Sequence, residues 1–297
     1  MTTQTATLTQ PGATITYDVH ADEHGDLGAA PGTVPLLIIG SPMTADGFAT
    51  LVGHFADRPV ITYDPKSAGR SPRTDGAEQT RVEEHADDLA TLIRTLDLST
   101  VDVFASSGGA VNGLALVQRH PGLVRTLVAH EPPLAAYLPD REEVLATAEA
   151  IHRTYQARGL GHAMAKFIDY TMQQGPIPAD YPEAPGPDPA MFGMPGEDDG
   201  SRDDAMFGQN IVTCGAFEPD LDAVRAGAQR VVIGVGEESG ETMAARGARA
   251  LAQALGTPVS EFPSDHAGFL GGEFGMTGKP DEFAARLREV LDGRGAA

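Results

Sequence analysis

The apolar positions of this chain fall into short buried runs separated by amphipathic stretches, and that rhythm predicts its elements. Residues 5–19 alternate, with Ala6 and Leu8 followed by Ile15 and Tyr17 across Pro11-Gly12, the pattern of a β-hairpin. Residues 23–33 are polar and glycine-rich, a loop. Residues 34–39 are a continuous apolar run ending in Gly40-Ser41-Pro42, which reads as a strand buried on both faces. Phe48, Leu51, Val52 and Phe55 recur at helical spacing, and Val60-Ile61-Thr62-Tyr63 is the next strand. Val82, Ala86, Leu89, Ile93 and Leu96 form one face of a helix, with Glu83, Glu84, Asp87 and Asp88 on a face that reads as solvated. Residues 101–104 are a strand that breaks into small residues before a helical pattern at 110–118. Residues 124–129 are a further strand, closing on His130-Glu131-Pro132-Pro133.

From about residue 134 the rhythm changes. Val144, Ala148, Ile151 and Tyr155 predict one helix, and Leu160, Met164, Phe167 and Ile168 a second. Residues 175–210 are rich in proline, glycine and acid, with Ala-Met-Phe-Gly at both 190–193 and 205–208, an echo too short for a repeat architecture. That stretch reads either as partly disordered or as a lid whose apolar side chains line a pocket. Residues 230–235 restore the strand pattern. A helix through Ala244, Ala248, Leu251 and Leu255 follows, then a strand at 259–262, a loop at 263–270 and a closing helix through Phe283, Leu287 and Val290. Strands alternating with helices predict an α/β fold with a doubly wound, mostly parallel sheet. In such sheets the ligand crevice lies off the carboxyl ends of the strands. Gly40-Ser41-Pro42, residues 105–109 and His130-Glu131-Pro132 all fall at those ends.

Composition narrows the function. At 297 residues and 41% apolar, the chain can bury a sizeable core as one domain carrying an insertion. A net charge of −21 argues against nucleic acid or anionic membranes as partners, since both need a basic surface. No apolar run reaches the ~18 residues of a membrane span, and the first residues lack the charged and apolar regions of a signal peptide. One cysteine, Cys214, excludes an internal disulfide and makes a cytoplasmic location the expectation. The implied partner is a small-molecule substrate, and a homodimer is left open.

The chemistry concentrates at Ser106-Ser107-Gly108-Gly109. Ala105 and Gly109 stand two before and two after Ser107, so the stretch fits G-x-S-x-G with alanine in the first place. A serine at a strand-to-helix corner needs neighbours without bulk, and the Gly108 N–H would open the helix where its dipole favours negative charge. The plainer alternative is a glycine-rich turn. A serine hydroxyl is a weak nucleophile that needs a base held in one tautomer by a carboxylate. His266 follows the last strand and precedes the closing helix. His54 and His120 fall on helices, and His152 and His162 in the segment after residue 134. No pair of histidines has metal-ligand spacing with a carboxylate, so neither metal nor cofactor is expected.

In order and spacing these motifs resemble the α/β-hydrolase family over almost the whole chain outside the 134–226 segment. The resemblance implies a helical cap after the sixth strand, dividing the chain into 1–133 (first part of the core), 134–226 (cap) and 227–297 (second part of the core). It implies Ser107 as nucleophile and His266, in Asp-His-Ala-Gly-Phe, as base. The acid is divided. The family's usual Gly-x-x-Asp reads Gly236-Glu237-Glu238-Ser239, leaving Glu238 one residue off. Glu131 lies in a His-Glu-x-Pro similar to that of zearalenone-type lactone hydrolases, which share the Ser-Ser-Gly elbow. Glu131 is therefore preferred, with Glu238 the alternative and a purely structural role for Glu131 the third option. The oxyanion donors implied are the N–H groups of Ser41 and Gly108, although Ile39 stands where the family usually has histidine.

The function so implied is a serine hydrolase acting on a small apolar ester or lactone. Three other readings remain: a ligand-binding protein of the same fold, a C–C bond hydrolase, and a cofactor-free peroxidase. A dinucleotide site at Gly234-Val-Gly236-Glu-Glu-Ser-Gly240, with Glu261 beyond it, is disfavoured by its spacing and its place late in the chain.

Overall fold

In the strand Leu36–Ile39, Leu36 and Ile38 enter one hydrophobic core and Leu37 and Ile39 another, as a side-chain period of two requires. The computed structural model describes residues 1–22, 27, 33–227 and 229–294, so the loop expected at 23–33 lies almost wholly outside the described residues. The strands are β1 (Thr2–Gln10), β2 (Ala13–Ala21), β3 (Leu36–Ile39), β4 (Val60–Tyr63), β5 (Val101–Ser106), β6 (Val124–His130), β7 (Arg230–Gly236) and β8 (Val259–Phe262). Among the described residues they form one sheet in the order β1-β2-β4-β3-β5-β6-β7-β8. The β1–β2 hairpin pairs antiparallel to itself and to β4, and every other pairing is parallel. The mostly parallel, doubly wound sheet is as the alternating pattern requires.

Helices cover both faces. The helices α2 (Val82–Thr95), α3 (Gly108–Arg119) and α8 (Met243–Leu255) pack on the Leu37/Ile39 side, with Leu89, Leu114 and Leu251 fully buried there. The other side is covered by α1 (Ala49–Gly53) and α9 (Pro280–Leu291), where Phe48, Phe104, Phe262, Phe269 and Phe283 form an aromatic cluster. After β3 the chain moves to β4 on one side. After β4 it returns past β3 to β5. The order thus reverses between β3 and β5, the point at which open α/β sheets commonly bind ligands.

The segment between β6 and β7 is a helical cap with a core of its own. It contains α4 (Arg141–Arg158), α5 (Leu160–Met172), a 3-10 turn at Pro189–Phe192, a π-helix at Ala205–Asn210, α6 (Ile211–Ala216) and α7 (Leu221–Ala226). Ile151, Tyr155, Tyr170 and Phe207 fill its centre. The doubled Ala-Met-Phe-Gly has a local cause. Each copy lies in a short helical turn capped by an aspartate, Asp188 accepting from the Ala190 N–H and Asp204 from those of Met206 and Phe207. Within residues 175–210, where composition allowed either partial disorder or a lid, these two turns are the helical elements described.

Several polar attachments tie the cap to the core, among them two clusters. Asp140, just before α4, takes a bidentate pair from Arg246 of α8 at 2.7 and 2.8 Å, and also accepts the Ile177 N–H at 2.7 Å. At the other end the Gln209 side chain accepts from the hydroxyls of Ser67 and Thr80, and Asn210 meets the buried ring of His85 at 3.1 Å. The acidic face of α2 departs from expectation. Asp88 is buried and meets Lys66 at 3.2 Å, while Glu84 meets Lys66 and Arg73. The β4 loop brings Lys66 over α2 and covers a face that helical periodicity alone marks as open to water. Burial pushes the Asp88 carboxyl up, and Lys66 offsets only part of it, leaving a pKa of about 6.

Because Asp140 and Arg246 are both buried, removing one strands the other charge. Arg246→Met is expected to lower stability by about 3 kcal/mol, measured as a fall in the urea midpoint with an unchanged slope.

Candidate functional site

The elbow is built by close packing of backbone on backbone. Gly108 and Gly109 open α3 against the chain leaving β3. A Cβ on Gly108 would stand 2.3 Å from the Ser41 carbonyl oxygen, and one on Gly109 would stand 2.4 Å from that of Ile39. No residue but glycine fits either position without moving the β3 exit. The approach fixes Ser107 at φ +56° and ψ −127°, a strained conformation for a residue with a side chain. The Ser107 N–H donates to the His130 carbonyl at 2.9 Å, tying the corner to the neighbouring strand. As the first residue of α3, Gly108 has an N–H with no acceptor inside the helix. Ser41 is half-buried alongside, so both expected oxyanion donors belong to adjoining stretches of backbone.

Glu131 follows β6 directly and is also strained, at φ +48° although it precedes a proline. Its N–H donates to the Gly234 carbonyl at 3.0 Å. The turn sends its carboxylate inward, where it is fully buried. One oxygen, Oε1, accepts the Gly236 N–H at 2.8 Å, and Oε2 lies 2.6 Å from the His266 Nδ1. Burial alone would raise the Glu131 pKa. The hydrogen bond from His266, the neighbouring His130 and the nearby Ser239 hydroxyl outweigh it and bring the value down to about 2. An acceptor-only carboxylate at Oε2 puts the proton on Nδ1 and leaves Nε2, on the far edge of the ring, as the free lone pair.

His266 is held by its loop. The Ala267 N–H donates to the Asp265 side chain, the Gly268 N–H to the Asp265 carbonyl, and Phe269 anchors the segment against Phe48 and Phe104. Behind it, His130 is buried in an aromatic cage with its ring centroid 6.0 Å from that of His266. Neither His130 nitrogen has a hydrogen-bond partner among the described residues, and burial lowers its pKa to about 4, so the ring is neutral at pH 7 and becomes charged only in the acid range where Glu131 titrates.

The structure therefore brings Glu131 and not Glu238 to the imidazole. Glu238 turns outward to Lys279, 2.5 Å away, in an exposed pair. In the glycine run at 234–240, Gly236 is engaged within the protein. Gly236 donates to Glu131, and a Cβ on it would meet Ser239 and Ser264 within 2.7 Å. Among the described residues no three potential ligands cluster as a metal site, and no helix is long and apolar enough to cross a membrane. Sequence reasoning missed Cys214. Its sulfur, on α6 of the cap, lies 3.4 Å from where a Gly108 Cβ would stand, and burial pushes the thiol up to about 12. Only the fold of the cap brings residue 214 to residue 108.

Comparison with known proteins bears on the fold. Residues 35–159 match the family described as alpha/beta hydrolase fold. A Bacillus subtilis protein named uncharacterized hydrolase YraK is 37% identical over 143 residues, covering 48% of this chain and 49% of that one. The chain thus matches about half the length of its curated relatives. Among solved structures, a thermophilic esterase from Thermogutta terrifontis superposes with a TM-score of 0.68 at 15% identity, covering 98% of both chains. The enol-lactonase from Burkholderia xenovorans gives 0.65 at 17% identity, covering 97% of this chain and 100% of that one. At such identities the likeness is one of fold: this chain has the α/β-hydrolase fold.

The depressed Glu131 pKa has a signed consequence. Stability from the ionised carboxylate is fully present above its ordinary value of 4.5 and is lost as pH falls through about 2. Glu131→Gln should therefore lie about 3 kcal/mol below the wild type at pH 7, with the gap closing progressively below pH 4.5. Urea unfolding of both proteins at pH 7 and pH 3 measures it.

Proposed function

We propose that this α/β-hydrolase-fold protein is a serine hydrolase that cleaves a small, uncharged ester or lactone through an acyl-enzyme. The observation that carries the proposal is the buried Glu131 carboxylate bonded to His266 Nδ1 at the same end of the sheet as the strained Ser107. A carboxylate there orients the imidazole, fixes its tautomer and stabilises it when charged, which is what activating a serine hydroxyl requires. The names of the fold neighbours, an esterase and an enol-lactonase, point the same way. The His-Glu-Pro around Glu131 keeps a lactone as favoured as an open ester. The single cysteine keeps the cytoplasm as the proposed location, and residues 134–226 the proposed cap between the two parts of the core.

In this reading Ser107 Oγ attacks the carbonyl carbon while its proton passes to His266 Nε2. Negative charge on the carbonyl oxygen is met by the N–H groups of Ser41 and Gly108. As the tetrahedral intermediate collapses, the C–O bond breaks and His266 returns the proton to the leaving alkoxide. Water then gives a proton to His266 and attacks the acyl carbon, Ser107 leaves with that proton, and the acid is released. Glu131 stays ionised throughout and balances the imidazolium. Cys214 beside Gly108 gives that corner an apolar wall, suited to a neutral acyl group.

Incubation with a fluorophosphonate is expected to add one adduct to the wild type and none to Ser107→Ala, as read by intact mass. Ser107→Ala should lower ester turnover by roughly 10³-fold or more. Glu131→Gln should lower it strongly, whereas Glu238→Gln should leave it near the wild-type rate. A wild type that takes no adduct and turns over no ester or lactone would favour the ligand-binding reading instead.

A further inference from the structure

The cap carries a cavity of about 270 Å³ that the chemistry at Ser107 does not use. It is walled by α4, α5 and the segment 182–187, and its charge runs against that of the molecule. In a chain of net charge −21 with only three lysines, Lys166 lines this cavity together with Arg153, Arg158 and His162, and Glu183 is the one acid among the lining groups.

The pairing there is incomplete. Arg153 and Glu183 meet at 2.9 Å and cancel at the rim. Lys166 is 6% exposed, and its ammonium donates to the carbonyls of Pro182 and Ala184, both at 2.9 Å, which uses two of its three protons. Those bonds fasten the loop but bring no negative charge. The Arg158 guanidinium meets the His162 ring at 3.2 Å. Among the described residues neither Lys166 nor Arg158 has a carboxylate within 4.0 Å. Asp169, three residues along α5, is already engaged by the Tyr181 hydroxyl at 2.7 Å. Burial pulls the Lys166 pKa down, and the more distant carboxylates of Glu183 and Asp169 offset only part of it, with Arg153 acting against them.

We propose that this cavity is a second ligand site, one for a small oxyanion, a phosphate or a short carboxylate, held between Lys166 and Arg158. The remaining Lys166 proton and the guanidinium supply charge-assisted donors. Three prolines, Pro182, Pro185 and Pro187, fix the backbone of the opposing wall. Gly186 lets that wall approach the Lys166 stem, where a Cβ would stand 3.1 Å from the Lys166 Cβ. A volume of about 270 Å³, just below the usual range of small-molecule pockets, suits inorganic phosphate or a four-carbon dicarboxylate.

Isothermal titration of the full chain with inorganic phosphate and, separately, with succinate tests the site at constant ionic strength set by sodium chloride. Saturable one-to-one binding of at least one of them is expected, weakened at least tenfold by Arg158→Gln and by Lys166→Met. Which of the two binds more tightly identifies the source of the oxyanion. Because Lys166→Met also releases the 182–187 loop and can unfold the cap, the exposed Arg158→Gln decides the matter. Ser107→Ala should bind as the wild type does, which separates this site from the proposed chemistry. No saturable binding up to about 10 mM, or binding equal in Arg158→Gln and the wild type, would overturn the proposal.

Discussion

The approach of the α3 N-terminus to the exit of β3 is the contact on which the rest of this molecule depends. Two successive glycines leave the carbonyls of Ile39 and Ser41 nowhere to move, and the sheet supplies the matching rigidity, since β3 and β5 are adjacent parallel strands in register from Leu36–Asp102 to Ile39–Ala105. With both strands fixed, the residue between strand and helix is forced to positive φ, and that residue is Ser107. A larger residue at 108 or 109 would separate the segments that hold the Ser41 and Gly108 N–H groups, not merely crowd them. The strain at Ser107 is maintained by over-determined packing around it.

The second half of the site obeys a different constraint, that of placing a charge inside protein. Pairing of β6 with β7, with His130 opposite Gly234, sets Glu131 beside the last turn of β7. The carboxylate is tolerated because a backbone N–H and an imidazole each take one oxygen. The aromatic cluster beneath it, shared by β5, β8, α9 and the His266 loop, keeps the imidazole from following its own rotameric freedom. Backbone geometry sets one residue and electrostatic compensation the other.

Much of this was legible in the sequence because the signals were local. Continuous apolar runs marked the buried strands, and β4 at Val60–Tyr63 matches its run residue for residue. The small residues of 105–109 announced a tight corner. Choosing between Glu131 and Glu238 needed the strand pairing, because both follow strands and only the register shows which carboxylate turns inward. The solvated reading of α2 failed for a related reason: Lys66 lies far enough along the chain that no helical pattern reports its arrival over Asp88. The cap was least readable. Its short turns rest on single capping aspartates and on contacts between residues as distant as Gly108 and Cys214.

The far edge of the sheet carries a consequence of its own. β1 is nine residues long, exposed over most of its length, and its side chains are threonine, glutamine, alanine and leucine without one charge. Its outer row of peptide groups is paired to no other strand among the described residues. Natural edge strands are commonly guarded by lysine, proline or a bulge that blocks a second molecule from adding on, and this one has none of these. Two copies meeting along this edge would do so against the repulsion between bodies of net charge −21. Colloidal behaviour and strand pairing are thereby linked: acid that neutralises the carboxylates, or salt that screens them, exposes an uncharged β-edge to its twin.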